Sequence, residues 1–174
     1  MAVRVEDGEE RLLLETSELR SATFSWSPDG RELLIPANED GQSRLLKYSV
    51  VTGEYTVLPT DHEVLIRAVW SPDGKRAALI AEIPGTTRIR LWILDTASGD
   101  TQPVDHRRGG PVAITWSGRY MIYSYLVTTP GNEEEFNGLP TLMRWDRGSG
   151  ERTTIAAPGS LALNTISAPN CIIW

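Results

Sequence analysis

One five-residue phrase constrains this chain more than any other feature. Trp26-Ser27-Pro28-Asp29-Gly30 returns unchanged as Trp70-Ser71-Pro72-Asp73-Gly74, 44 positions later. A third copy, Val112 to Tyr120, keeps Trp116 and Ser117 but lacks the Pro-Asp pair before Gly118, and Cys171-Ile172-Ile173-Trp174 has the form of the same segment once more. A repeat of this length identifies one supersecondary unit used several times, each unit burying its faces against its neighbours.

The chemistry of the phrase defines the start of the unit. Phe24, Ala68, Ile114 and Ile172 each stand two residues before a Trp, the spacing that places side chains on one face of a strand. In Ser-Pro-Asp-Gly, proline presets a turn dihedral, aspartate bonds neighbouring backbone and glycine accepts a positive φ, so the chain reverses. Continuous apolar runs follow at Leu33-Leu34-Ile35, Ala77 to Ala81 and Tyr120 to Tyr123, as in strands buried on both faces.

Third strands with a more open alternation are expected at Arg44 to Val50, Arg88 to Leu94 and Leu142 to Asp146. The turns Thr52-Gly53-Glu54, Ser98-Gly99-Asp100 and Ser149-Gly150-Glu151 close them. Fourth strands are predicted at Tyr55 to Leu58, Thr101 to Val104 and Arg152 to Ala156. Four antiparallel strands make one blade of a β-propeller.

The fold class is therefore all-β, with blades at 21–60, 64–105 and 110–157, a part blade at 1–15 and the first strand of a next blade at 168–174. That total is one strand short of four blades and predicts an incomplete propeller. The segment Gly131 to Gly138 has room for a single helical turn.

These repeats resemble those of the WD40 and WD40-like propellers of the TolB type, also called PD40. Trp-Ser-Pro-Asp-Gly followed by a basic residue and an apolar strand carries the likeness over nearly the whole chain. The WD40 branch adds a His before the first strand and a Trp-Asp on the third. Here His62 and His106 precede the second and third blades, and Trp145-Asp146 lies in the third. The usual Gly-His is replaced by Asp61-His62 and Asp105-His106, Tyr48 stands in the Trp place of the first blade, and Trp92 is followed by Ile93. The resemblance implies that the histidines hydrogen-bond within or beneath blades. Trp26, Trp70, Trp116 and Trp174 recur at one strand location and Trp92 and Trp145 at another, as expected of residues that fill the wedge between blades.

Catalytic and metal chemistry lack their residues. No Gly-x-Ser-x-Gly elbow occurs, no glycine-rich phosphate loop occurs, and two His with one Cys give no zinc spacing. Asp29, Gly30, Asp73 and Gly74 read as turn residues rather than calcium ligands. No cofactor is expected, and the chain is read as a non-enzyme, a reading that does not extend to a longer parent protein. The net charge of −6 disfavours nucleic acid and anionic membranes as partners.

The one segment without a counterpart in other blades is Thr128 to Pro140, where Glu133, Glu134, Glu135 and Phe136 form a candidate interaction loop for a basic protein. The expected function is a non-catalytic scaffold for protein–protein or domain–domain contact. The alternatives are the substrate-screening propeller of a prolyl-oligopeptidase-like serine hydrolase and a TolB-like periplasmic propeller.

A single Cys171 and the absence of an apolar N-terminal leader make the cytoplasm the expected compartment, with the periplasm as the alternative for a chain whose leader was removed. Because the end blades are partial, three arrangements are expected: a fragment of a longer propeller, which ranks first, a head-to-tail pair of copies, or a strained four-blade ring.

Overall fold

The computed structural model describes residues 2–3, 10–11, 23–39, 42–62, 64–86, 88–104, 109–127 and 140–156. Fourteen strands and no helix occur among them. The expected strand at 168–174, the turn at Gly131 to Gly138 and the Glu133 to Phe136 loop lie outside the described residues, as does His106.

Turn chemistry sets the first hairpin of each blade. Strand β1 (Ala2–Val3) pairs with β2 (Glu10–Arg11) alone in a two-stranded antiparallel sheet. The first blade then runs β3 (Ser25–Trp26), β4 (Glu32–Glu39), β5 (Gln42–Ser49) and β6 (Tyr55–Leu58), each strand antiparallel to the next. Between β3 and β4, the Ser27 N–H donates to the Glu32 carbonyl at 2.8 Å and the Gly30 N–H to the Ser27 carbonyl at 3.0 Å. Gly30 adopts φ +70°, a conformation that side chains disfavour.

The second blade repeats the plan with β7 (Leu65–Trp70), β8 (Arg76–Glu82), β9 (Ile89–Asp95) and β10 (Thr101–Pro103). The corresponding turn bonds join Ser71 N–H to Arg76 O at 2.8 Å and Gly74 N–H to Ser71 O at 2.9 Å, again with φ +70° at Gly74. Trp26 pairs with Leu33 and Trp70 with Ala77, so the two Trp residues hold equivalent strand positions.

Blades one and two share a core. Leu34, Leu45 and Leu58 of the first pack with Ala68, Trp70 and Leu79 of the second. Ser25 Oγ accepts the Trp70 N–H at 3.0 Å, and Thr23 Oγ1 donates to the Ile66 carbonyl at 3.3 Å. Burying each of the leucines stabilises the fold by about 1.5–3 kcal/mol relative to leaving it exposed, which is how a sheet with two apolar faces is stabilised. These blades lie in one compact unit, residues 1–106.

A second unit, residues 107–174, holds the third blade: β11 (Gly109–Ser117), β12 (Tyr120–Val127), β13 (Pro140–Asp146) and β14 (Arg152–Ala156). Ile114, Met121, Tyr123, Tyr125, Thr141, Met143 and Trp145 are buried on one of its faces. Lacking Pro-Asp, its first hairpin closes on the two residues Gly118 and Arg119, because Ser117 pairs directly with Tyr120.

Two expectations need correction. The third strands do not all alternate openly: Leu91 to Leu94 are buried without interruption, because both faces of β9 are covered, Trp92 and Leu94 lying in the core shared with blade one while Leu91 and Ile93 are buried on the opposite face. Trp92 and Trp145 are also not equivalent. Trp145 pairs with Met121 as Tyr48 pairs with Leu33, whereas Trp92 pairs with Leu79, two residues along on the same face. The position matching Trp145 in blade two is Leu94, opposite Ala77.

Candidate interaction surface

The repeat aspartates are occupied by their own turns. Ser27 Oγ donates to Asp29 Oδ1 at 2.6 Å, the Arg31 N–H donates to the same oxygen at 3.2 Å, and Ser27 Oγ accepts the Glu32 N–H at 2.9 Å. Ser71, Asp73, Lys75 and Arg76 repeat this set at 2.6, 3.2 and 3.0 Å. The Ser27 hydroxyl, followed by the Arg31 N–H, holds the Asp29 carboxyl below its ordinary 3.8. A carboxylate so engaged builds a turn, the role the sequence indicated for Asp29 and Asp73.

The turns between third and fourth strands use carboxylates in the same way. Asp95 Oδ1 accepts N–H groups from Ala97 at 2.9 Å and Ser98 at 3.0 Å, and the Ser98 bond leads in lowering its pKa. In blade three, Asp146 Oδ1 accepts the Gly148 N–H at 2.7 Å and the Ser149 N–H at 3.3 Å.

Asp146 has a further partner that sequence reading missed. Arg119 Nε donates to its Oδ1 at 2.7 Å and Nη2 lies 2.5 Å from Oδ2, a two-pronged guanidinium–carboxylate pair. Arg119 lowers the Asp146 carboxyl from 3.8 to about 2. This pair joins the two turns of the blade that lacks Pro-Asp. A backbone bond does so in every blade: Arg31 O to Val50 N–H at 2.9 Å, Lys75 O to Thr96 N–H at 3.1 Å and Arg119 O to Arg147 N–H at 3.2 Å. The signal available in the sequence was a basic residue after the turn glycine of all three units.

His62 is buried. Its Nδ1 lies 3.0 Å from the Glu82 carbonyl, and its ring packs on Trp92 with centroids 4.5 Å apart and planes tilted by 53°. Burial lowers its pKa below 6.5 against the opposing effect of the Glu82 carbonyl. Nε2 has no hydrogen-bond partner among the described residues. Such an imidazole is walled into the blade and out of reach of a substrate. Trp92 Nε1–H in turn donates to the Ala81 carbonyl at 3.4 Å.

Trp70, Trp92 and Trp145 are buried, whereas Trp26 is 44% exposed, against the expectation of a filled wedge. Gly30 and Gly74 occupy their turns, and Trp116 meets Trp145 edge-on at 6.2 Å between centroids. Among the described residues, the surface includes exposed Phe24, Trp26, Tyr55 and Val57 on blade one, a basic–aromatic group on blade three where Arg144 lies 4.7 Å from the Tyr120 ring centre and Arg119 5.8 Å, and a depression of about 280 Å³ lined by Arg76, Asp95, Asp100 and Gln102. Among the described residues, no group of three or more His, Cys, Asp or Glu could hold a metal ion. No helix among them is long and apolar enough to cross a membrane.

No protein-family model and no curated protein sequence matches the chain. Solved structures do. TolB from Acinetobacter baumannii is similar with a TM-score of 0.69 at 18% identity, over 91% of this chain and 37% of that one. An oligogalacturonate lyase in complex with manganese gives 0.67 at 15% identity, over 87% and 46%. A puromycin hydrolase gives 0.65 at 20% identity, over 88% and 23%. This chain thus spans less than half the length of each of these structures. Identities this low carry the fold and not the chemistry. With its three four-stranded blades and a further two-stranded sheet, the chain has the β-propeller fold of the TolB-type structures, as an incomplete propeller.

Proposed function

We propose that this chain is a non-catalytic propeller scaffold whose surfaces engage another protein or an adjoining domain. The observation that supports it most is the employment of its polar groups. Asp29, Asp73, Asp95 and Asp146 hold turn N–H groups, and His62 is sealed against Trp92, while Phe24, Trp26, Tyr55 and Val57 of blade one stay exposed. The loop Glu133 to Phe136 supplies the charged contact for a basic partner, acting on association rate and salt dependence.

Affinity purification from the host cell tests the scaffold role. A partner retained by the wild type and lost when Glu133, Glu134 and Glu135 become Gln and Phe136 becomes Ser supports it. Unchanged retention and unchanged salt dependence remove the loop from the proposal.

A second reading is favoured by the puromycin hydrolase likeness: the chain is part of a propeller that screens substrates for a serine hydrolase. The reading frame beyond Trp174 separates the two. A Gly-x-Ser-x-Gly on a strand-to-helix turn favours the hydrolase, and further Trp-Ser-Pro-Asp-Gly units alone favour the scaffold.

A further inference from the structure

Each blade ends in an outer strand with one side unpaired, and the three outer strands differ in how that edge is protected. In blade one the Ser49 N–H donates to the Glu54 carbonyl at 2.8 Å, which fixes the alternation of bonds along the β5–β6 ladder. Thr56 turns its backbone groups inward to Lys47, whereas the N–H and C=O of Tyr55 and Val57 point away from the sheet. By the same alternation the outward positions are Thr101 and Pro103 in β10, and Arg152 and Thr154 in β14.

Bare edge strands pair with other chains, and proline, charge and bulges prevent it. Strand β10 has Pro103, which offers no N–H. Strand β14 has the charge of Arg152 and a bulge in which Ile155 is the extra residue. Strand β6 has none of these devices. Its residues, Tyr55–Leu58, are uncharged, free of proline and in unbroken register, and the outward Tyr55 and Val57 are 50% and 42% exposed. Leu58 is anchored in the core shared by the first two blades, which holds the edge in place.

Both ends of this edge are acidic. Exposed Glu54 precedes the strand, and Pro59, which follows it, abuts Gly99, whose neighbour Asp100 is also exposed. The nearby cation Arg76 stands opposite Asp95 rather than Asp100.

We propose that β6 receives an extended segment of a partner protein as an added strand of blade one, a segment with β-branched or aromatic side chains at alternate positions and basic residues at its ends. This rests on the reading of the chain as a protein-binding scaffold and gives that reading a surface and a partner chemistry. Running antiparallel, two residues of the segment exchange main-chain bonds with Tyr55 and Val57. Their side chains lie beside Tyr55 and Val57, where aromatic and β-branched pairs are favoured, and the residue between them faces the side of Thr56. The basic ends meet Glu54 and Asp100, and the chain's net charge of −6 steers such a segment in.

The test is an NMR titration of the whole chain with the acetylated and amidated peptide Lys-Val-Thr-Val-Lys. The amide protons of Tyr55 and Val57 should move downfield, with a dissociation constant in the micromolar to millimolar range. Methylating the two valine nitrogens of the peptide removes its donors to β6 and should abolish binding. Val57→Pro copies the device at Pro103 and should raise the dissociation constant about tenfold or more, with an unchanged far-ultraviolet spectrum. If that variant does not fold, Tyr55→Lys, a charge at an exposed edge position, should have the same effect on binding.

No binding at millimolar peptide overturns the proposal, as does binding that nitrogen methylation leaves intact or that moves amides away from β6. Dimers of the peptide-free chain that Val57→Pro dissolves overturn it in favour of a second copy at this edge. A chain that fails the peptide test and still retains a partner in affinity purification loses the β6 site and keeps the scaffold role.

Discussion

Asp146 and His62 show how two titratable side chains of a repeat become structural, and each has a pH signature. Arg119 and the two N–H groups of the turn favour the charged carboxylate, holding Asp146 at about 2. A depressed carboxylate contributes stability that is present above its ordinary pKa of 3.8 and is lost as pH falls toward 2. Carboxyl-carbon NMR titration should find Asp146 near that value in the wild type and closer to 3.8 in Arg119→Gln, and an unmoved titration would remove Arg119 as the cause. His62 depends on pH in the same direction, in a higher window. Its folded pKa lies below 6.5, so the unfolded chain binds a proton that the blade resists, and stability falls as pH drops below 6.5. Denaturation midpoints between about pH 8 and pH 5 should decline more steeply in the wild type than in His62→Gln. Equal slopes would show that burial of the imidazole has no stability consequence.

At the scale of the element, the turn glycines separate backbone strain from close packing. Gly99 has φ +83°, and a Cβ there would lie 2.5 Å from Pro59 Cγ and 2.6 Å from its carbonyl oxygen. Gly85, in the turn between β8 and β9, has φ +72° with nothing within 4 Å. Gly85→Ala should therefore cost about 1–2 kcal/mol, the backbone penalty alone, and Gly99→Ala clearly more because Pro59 must move as well. Equal costs in denaturant melts would mean the approach of Pro59 carries no energy. These turns were the most legible part of the sequence. The stretches Tyr55 to Leu58 and Arg152 to Ala156 coincide with β6 and β14, since turn chemistry marks where each begins. The register of Trp92 was not legible, because alternation with period two places Trp92 and Leu94 on one face and is blind to a two-residue shift. The Arg119–Asp146 pair was hidden by the 27 positions between its members. Trp26 and Trp70 share five identical letters, and only the neighbouring sheet makes one exposed and the other buried. The interaction loop at Glu133 to Phe136 lies outside the described residues, so its place as a site rests on composition.

For the whole molecule, the shared core makes a cooperative claim about blades one and two. Leu45 on β5 is fully buried and belongs to the same apolar cluster as Leu79, Ala81 and Leu94 of the second blade. In a repeat architecture, stability is the sum of what each unit contributes alone and what each interface adds. A blade exposes two apolar faces when isolated, so the interface contribution is large and the two blades should open together. Leu45→Ala would leave a cavity between them at a cost of about 2–5 kcal/mol. Hydrogen exchange reads where that cost appears. The amides of Leu33 to Ile35 in β4, on the mutated blade, must lose protection in any case. If the blades form one cooperative unit, the amides of Ala77 to Ile80 in β8 should lose protection by nearly the same free energy, although no residue of blade two was changed. Protection in β8 that stays at its wild-type level would mean that blade two holds its structure without the first, and the common core would then be a contact between independently stable sheets.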